Sequence, residues 1–168
     1  MRRQRPDVRR LYQAHARQVW RTIARLGVPA AAVEDAVQDV FLTAHQKAAD
    51  FDGRASPSTW LIGIAVRVAA NVRRSGKRRA LAVVPSSSDG APTPHEQLER
   101  RRDLEALDAT LSKLAPEQRE VVVLMDLEHL SAPEVAEVLG VNVNTVYSRL
   151  RLGRAALSRA LKGEEVAS

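Results

Sequence analysis

The stretch from Ser131 to Leu161, SAPEVAEVLGVNVNTVYSRLRLGRAALSRAL, leaves its part of the chain few ways to fold. Ser131 followed three residues later by Glu134 is a capping box, in which hydroxyl and carboxylate each satisfy a backbone N–H at a helix start. Val135, Ala136, Val138 and Leu139 supply an apolar face, and Gly140 suits the left-handed turn that ends the helix. Asn142 or Asn144 can cap the next helix, on which Val146, Leu150 and Leu157 fall roughly to one side. Tyr147, Ser148, Arg149, Arg151 and Arg154 project from its remaining surface. A short helix bracing a longer one that presents arginine, serine and tyrosine is the plan of a helix-turn-helix that reads DNA. An ordinary helical hairpin with a solvated basic face shares the periodicity; turn, caps and charge together favour the DNA-reading form.

The distribution of charge agrees. The 168 residues carry a formal net charge of +6, which favours a polyanionic partner. No acidic residue occurs between Asp52 and Asp89, an interval holding Arg54, Arg67, Arg73, Arg74, Lys77, Arg78 and Arg79. A second acid-free interval, between Glu137 and Glu164, carries Arg149, Arg151, Arg154, Arg159 and Lys162. Solubilising surfaces normally mix both signs, so two cationic surfaces point to two contacts along an extended anion such as DNA. Arginine far outnumbers lysine, which occurs only at Lys47, Lys77, Lys113 and Lys162. Its planar fork suits phosphate and guanine, although genome base composition produces the same bias.

Without cysteine the chain has neither disulfides nor a thiolate metal site. Its start, MRRQRPDVRR, lacks the apolar segment of a secretory signal, and no apolar run approaches membrane-spanning length. The expectation is a soluble cytoplasmic protein with no membrane insertion.

Residues 82–94, AVVPSSSDGAPTP, combine proline, serine and glycine without helical periodicity. Such a segment buries too little apolar surface to offset chain ordering, so a flexible linker is expected over residues 81–95, between domains at 1–80 and 96–168. Both flanks read as helical. Leu11, Val19, Ile23 and Leu26 mark a helix from Val8 that Gly27 and Pro29 end. A second helix, from about Ala31 to Ala48, buries Val33, Val37, Val40, Phe41 and Ala44. A polar loop follows, and Ser56 or Ser58 caps a third helix through Leu61, Ile64, Ala65 and Val68, with Trp60 assigned to the core. Beyond the linker, Leu98, Leu104, Leu107, Leu111 and Leu114 mark another amphipathic helix, and Pro116 opens one containing Val121, Val122, Leu124 and Met125. The fold class is all-α: two small helical domains on a tether, the second containing the helix-turn-helix.

These segments, taken in order, resemble bacterial RNA polymerase sigma factors of the extracytoplasmic-function type over almost the whole chain. EDAVQDVFLTAHQK, Glu34 to Lys47, is similar to the core-binding segment of sigma region two. FDGRASPSTWLIGIAVRVAANVRR resembles the segment that melts and reads the minus-ten element, and LAPEQREVVVLMDLEHLSAPEVAEVLGVNVNTVYSRLRLGRAAL resembles region four, which reads the minus-thirty-five element. Arg67, Asn71 and Asn144 depart from the family's usual Asn, Asp and Gly, and the first two leave the surface more basic. Only a short polar tail follows Leu161, so no further C-terminal domain is expected.

Asp35 and Asp39 lie one helical turn apart with Gln38 beside them, an acidic patch on a helix whose other side is apolar. The resemblance implies that Glu34, Asp35, Gln38 and Asp39 dock onto core RNA polymerase, at the clamp helices of its largest subunit. It also implies that the loop holding Arg54, Ser56, Ser58 and Thr59 takes a base flipped from the non-template strand. Arg67, Asn71, Arg73 and Arg74 recur on about one side of the next helix and are expected at promoter phosphates, Asn71 also at a base. For the upstream element, Tyr147, Ser148 and Arg151 are candidates for base edges; Thr145, Arg149 and Arg154 for phosphates, with Asn144 in the same set. Leu152 either touches a thymine methyl or belongs to the core. An anti-sigma protein is the regulator the resemblance implies.

An enzyme is not expected. His15, His45, His95 and His129 are dispersed without metal-ligand spacing, and no Gly-rich phosphate loop or G-x-S-x-G element is present. No catalytic residue, metal, cofactor or small-molecule substrate is therefore assigned. Two other readings remain: a self-sufficient repressor or activator, which usually needs a dimerisation element not identifiable here, and a non-specific nucleic-acid adaptor, which predicts steep salt dependence with little sequence preference.

Overall fold

The chain divides into two compact units, residues 1–84 and 85–168. The computed structural model describes residues 6–79 and 106–166, of which 77–79 and 164–166 by backbone alone. The expected linker, Leu98, Leu104 and His95 lie outside the described residues. Among the described residues every regular element is a helix, as the periodicity predicts.

The first unit is built from α1 (Val8–Arg25), α2 (Ala30–Lys47) and α3 (Pro57–Arg79). Asp7 caps α1, its carboxylate accepting from the amides of Arg9 and Arg10 at 3.0 and 3.4 Å. Leu11, Val19, Thr22 and Ile23 form its buried side. Thr22 is buried yet satisfied, because its hydroxyl donates to the Gln18 carbonyl at 2.9 Å. Gly27, with φ 90°, turns the chain into Pro29 and α2. Ser56, not Ser58, caps α3: its hydroxyl oxygen accepts from the Thr59 amide at 3.0 Å, and Pro57 takes the first helical position.

Helix α3 packs on both α1 and α2. That explains why Leu61, Ile62, Ile64, Ala65, Val66 and Ala69 are all buried rather than one stripe of them. Full burial of side chains such as Ile23, Leu26, Leu61 and Ile62 stabilises by about 1.5–3 kcal/mol each. Trp60 is only half-buried, its ring tilted against Phe51 with centroids 5.1 Å apart.

In the second unit, a helical stretch at 106–112 (α4) precedes α5 (Pro116–Val122), α6 (Ala132–Leu139) and α7 (Val143–Val166). Helix α5 runs into a π-helical turn, Val123–Leu127, where the Glu128 amide reaches the Val123 carbonyl five residues back at 2.9 Å. The widened turn and the helices around it bury Val121, Val122, Val123 and Leu124 in succession. His129 then takes a positive φ of 58° and leads to α6. The capping box forms as predicted, with the Glu134 carboxylate accepting from the Ser131 amide at 2.8 Å. Gly140 has φ 66°, and Asn142 caps α7, its Oδ1 accepting from the Thr145 amide at 2.8 Å. Asn144 lies inside the first turn of α7 and is exposed.

Candidate nucleic-acid interface

Helix α7 has two sharply different sides. Val146, Leu150 and Gly153 are buried against the rest of the unit, while Tyr147, Ser148 and Arg151 are exposed on the outer side. Tyr147 is 54 % exposed, an aromatic ring left in solvent on the strip that carries the serine and the arginine. Leu152 is also exposed, so it is not a core residue.

Two of the expected phosphate ligands have other engagements, and a third is half-buried. The Thr145 hydroxyl donates to Asn142 Oδ1 at 3.0 Å, within the cap of α7. Arg149 is half-buried on the inner side. Arg154 forks onto Asp126, with Nε donating to Oδ2 at 3.0 Å and Nη2 to Oδ1 at 2.5 Å. The hydrogen bond donated to Asp126, and then the charge of that carboxylate, hold the Arg154 guanidinium above its ordinary pKa. Nothing in the periodicity pairs residues 126 and 154; a glycine inside a helix at 153 was the one sequence signal that α7 approaches another backbone closely.

In the first unit, α3 presents Arg67, Asn71 and Arg74 as an exposed stripe at i, i+4 and i+7, with Arg74 donating to the Asn71 side-chain oxygen. Arg73 does not share it. It is half-buried and donates to the Leu26 carbonyl at the C-terminal end of α1, where unpaired carbonyls carry partial negative charge. Ahead of α3, Gly53 (φ 75°) turns the loop, and Asp52 accepts from the backbone amide of Arg54 at 3.0 Å and forms an ion pair with its guanidinium Nε at 3.2 Å. The Ser56 hydroxyl donates to Thr59 Oγ1 at 3.0 Å, and that of Ser58 to Gln18 Oε1 on α1, also at 3.0 Å. The loop hydroxyls are thus ordered by neighbours within the unit, and Arg54 is the long side chain extending from it.

On α2, Glu34, Asp35, Gln38 and Asp39 are all exposed. Glu34 is tied to α1 by the indole N–H of Trp20, which donates to its carboxylate at 3.2 Å. One turn beyond Gln38 and Asp39 stands Leu42, 60 % exposed and out of phase with the buried Val33, Val37, Val40 and Ala44. Periodicity missed it as a functional candidate, although that phase error was the signal. Beside it Tyr12, Phe41 and His45 line a shallow groove, Tyr12 meeting Phe41 edge-on at 4.9 Å.

Comparison with known proteins gives the family of each unit. The family described as Sigma-70 region 2 matches residues 11–79, and Sigma-70, region 4 matches residues 104–157. RNA polymerase sigma factor CnrH of Cupriavidus metallidurans is 32% identical over 148 residues, covering 82% of this chain and 78% of that protein. ECF RNA polymerase sigma factor SigM of Mycobacterium tuberculosis is 32% identical over 151 residues, 90% of this chain and 75% of that one. The chain belongs to the extracytoplasmic-function sigma factors of RNA polymerase.

The solved structure of CnrH in complex with the cytosolic domain of CnrY aligns with a TM-score of 0.70 at 30% identity, covering 93% of this chain and 88% of that one. RpoE of Bartonella quintana, solved with the anti-sigma factor NepR, shares the fold at a TM-score of 0.75 and 23% identity, with 93% and 97% covered. This sigma factor accordingly directs promoter-specific transcription initiation by RNA polymerase, and sigma factors as a class regulate transcription rather than catalyse a reaction. None of its described helices is long and apolar enough to cross a membrane.

Proposed function

We propose that the sigma factor divides its work between the two units and that the exposed strip Tyr147, Ser148 and Arg151 reads base edges of the minus-thirty-five element. The observation that carries this reading is the sidedness of α7: its apolar side chains are buried while those three stand in solvent on a helix long enough to cross the major groove. Asn144 stands at the end of α7 that would enter the groove first, among backbone N–H groups suited to phosphate. Arg149 is half-buried, so its contribution is to the nearest backbone phosphate rather than to a base.

The first unit docks onto core polymerase through Asp35, Gln38 and Asp39, with Glu34 held at the edge of that face by Trp20. Charge complementarity there sets register and association rate. The minus-ten strand meets Arg54 and the loop of Ser56, Ser58 and Thr59, then the Arg67, Asn71 and Arg74 stripe; Arg73 supports that surface from beneath. Residues 81–95 act as the tether between the two contacts. The reading includes a cytoplasmic site of action, no enzymatic activity, no cofactor or metal, and inhibition by an anti-sigma protein, a partner class supported by the complex of RpoE with the anti-sigma factor NepR.

Footprinting of the reconstituted holoenzyme tests the division of labour. Two protected windows are expected, about two helical turns of DNA or more apart, and Arg151→Ala should alter base preference in the upstream window alone. One continuous window whose sequence preference is indifferent to Arg151 would refute it.

A further inference from the structure

We propose that Asp126 is a positioning residue for upstream promoter recognition: through Arg154 it locks the roll of α7 about its own axis, and it withdraws that arginine from phosphate contact. The inference rests on the reading that α7 meets DNA. Three features of the second unit converge on it. The π-helical turn Val123–Leu127 widens the end of α5, and Asp126 lies within that turn. Helix α7 crosses α5 at Gly153, where a methyl group would come within 2.7 Å of Val122 Cγ2 and 3.3 Å of the Gln118 carbonyl oxygen. The next residue, Arg154, closes a two-point fork on Asp126, at 3.0 and 2.5 Å.

A close helix crossing fixes distance and limits roll, but its apolar contacts define the angle less sharply than directional hydrogen bonds do. A bidentate guanidinium–carboxylate pair is directional, because both hydrogen bonds need the two planes to coincide. The consequence falls on Arg151, one turn before Arg154 on the same helix. With side chains reaching about 6 Å from the axis, a roll of about 10° displaces a side-chain tip by roughly 1 Å. That exceeds the tolerance of a paired hydrogen bond to a base edge, whereas a phosphate contact survives it. The fork therefore serves base discrimination rather than affinity.

The test uses holoenzyme assembled from the full chain and its own core polymerase, with a duplex selected from random-sequence DNA by the wild-type holoenzyme. Binding to that duplex and to one mutated in the upstream element is measured across salt concentrations. Asp126→Ala and Arg154→Ala are each expected to lower the discrimination between the two duplexes about three- to tenfold, at the lower end of what losing a good base contact costs. The double variant should lose no more than either single one. The slope of log K against log salt should stay unchanged for Arg154→Ala. The exchanged pair, D126R with R154D, should recover part of the discrimination, and Arg154→Lys, which keeps charge but not the fork, should lose it.

A slope lower by about 0.9 for Arg154→Ala, together with tighter binding by Asp126→Ala, would make Arg154 a phosphate ligand that Asp126 merely restrains, and would overturn the proposal. Unchanged discrimination in every variant would also overturn it. Arg151→Ala separates this from failure of the underlying reading: if it too leaves discrimination intact, α7 is not reading bases at all.

Discussion

Substituting Gly153 by alanine pits two opposite effects against each other, and the structure decides the sign. An ordinary glycine-to-alanine change inside a helix stabilises by about 0.8–1.0 kcal/mol, because alanine loses less backbone entropy. At position 153 the new methyl would sit 2.7 Å from Val122 Cγ2 and 3.3 Å from the Gln118 carbonyl oxygen. Val122 is buried, and the carbonyl belongs to the backbone of α5, so neither can swing aside. Overpacking of this kind costs about 1–3 kcal/mol, leaving a net loss of about 1 kcal/mol. For a unit of this size that lowers Tm by about 4–8 °C. Val122→Ala alone should cost about 2 kcal/mol by opening a cavity, but combined with Gly153→Ala it removes the atom the methyl meets. The pair should therefore be more stable than the sum of the singles by about 1 kcal/mol. Gly163 supplies the control on the same helix: a methyl there meets nothing within 4 Å, so Gly163→Ala should not destabilise. Thermal unfolding of the intact chain by far-ultraviolet circular dichroism reads the effect. Tryptophan fluorescence stays as an internal reference, since Trp20 and Trp60 both belong to the first unit. A higher Tm for Gly153→Ala, or strict additivity with Val122→Ala, would refute the close crossing of α5 and α7.

Replacing Asp35 and Asp39 together by arginine should weaken core-polymerase binding at least tenfold in a fluorescence-anisotropy titration, with helicity unchanged, since two exposed acids become like charges facing a basic partner. Ser131→Ala removes the hydroxyl arm of the capping box and should cost about 1 kcal/mol in chemical denaturation of the second unit; no change would mean that the Glu134 arm alone holds the helix start. Leu124→Ala, in the buried π turn, should cost about 2–5 kcal/mol and abolish upstream-element binding at 37 °C, read as loss of protection in hydrogen exchange across α5–α7. Between pH 6 and 9 the Arg154 contribution should be flat: its folded pKa is raised, so the stabilisation is present throughout that range and is lost only as pH rises through that value.

Most of the helices were legible because they carry their own punctuation, while α2, which has no side-chain cap, was legible from its apolar phase. Ser56, Ser131 and Asn142 cap, Pro116 opens, and Gly27 and Gly140 close, all through interactions within a few residues; the Asp7 cap and Pro57 at the start of α3 emerged only with the structure. The exposure of Asp35, Asp39, Arg67, Asn71, Tyr147, Ser148 and Arg151 followed from helical phase, whereas the docking role of the two acids came from the family resemblance. What phase did not show depends on contacts between elements. The π turn at Val123–Leu127 leaves no composition signal, and the Asp126–Arg154 fork joins residues 28 positions apart. Arg73 shares its charge with Arg67 and Arg74, yet its neighbour is the end of α1, which only the packing of α3 against α1 brings there. Trp60 lies half-buried on Phe51 because it stands at the first turn of α3, at the rim of the bundle rather than its centre.

We propose that one chain confers promoter choice on core polymerase through two separate surfaces. Run-off transcription with purified core polymerase, on the genomic DNA of the source organism, tests it most directly. The wild-type chain should give discrete start sites absent with core alone. Arg151→Ala should shift which start sites are used, and Asp35→Arg with Asp39→Arg should reduce all of them together. A chain that adds no start site to core polymerase, or a surface on α2 and a strip on α7 that prove interchangeable in what they change, would be the contrary result.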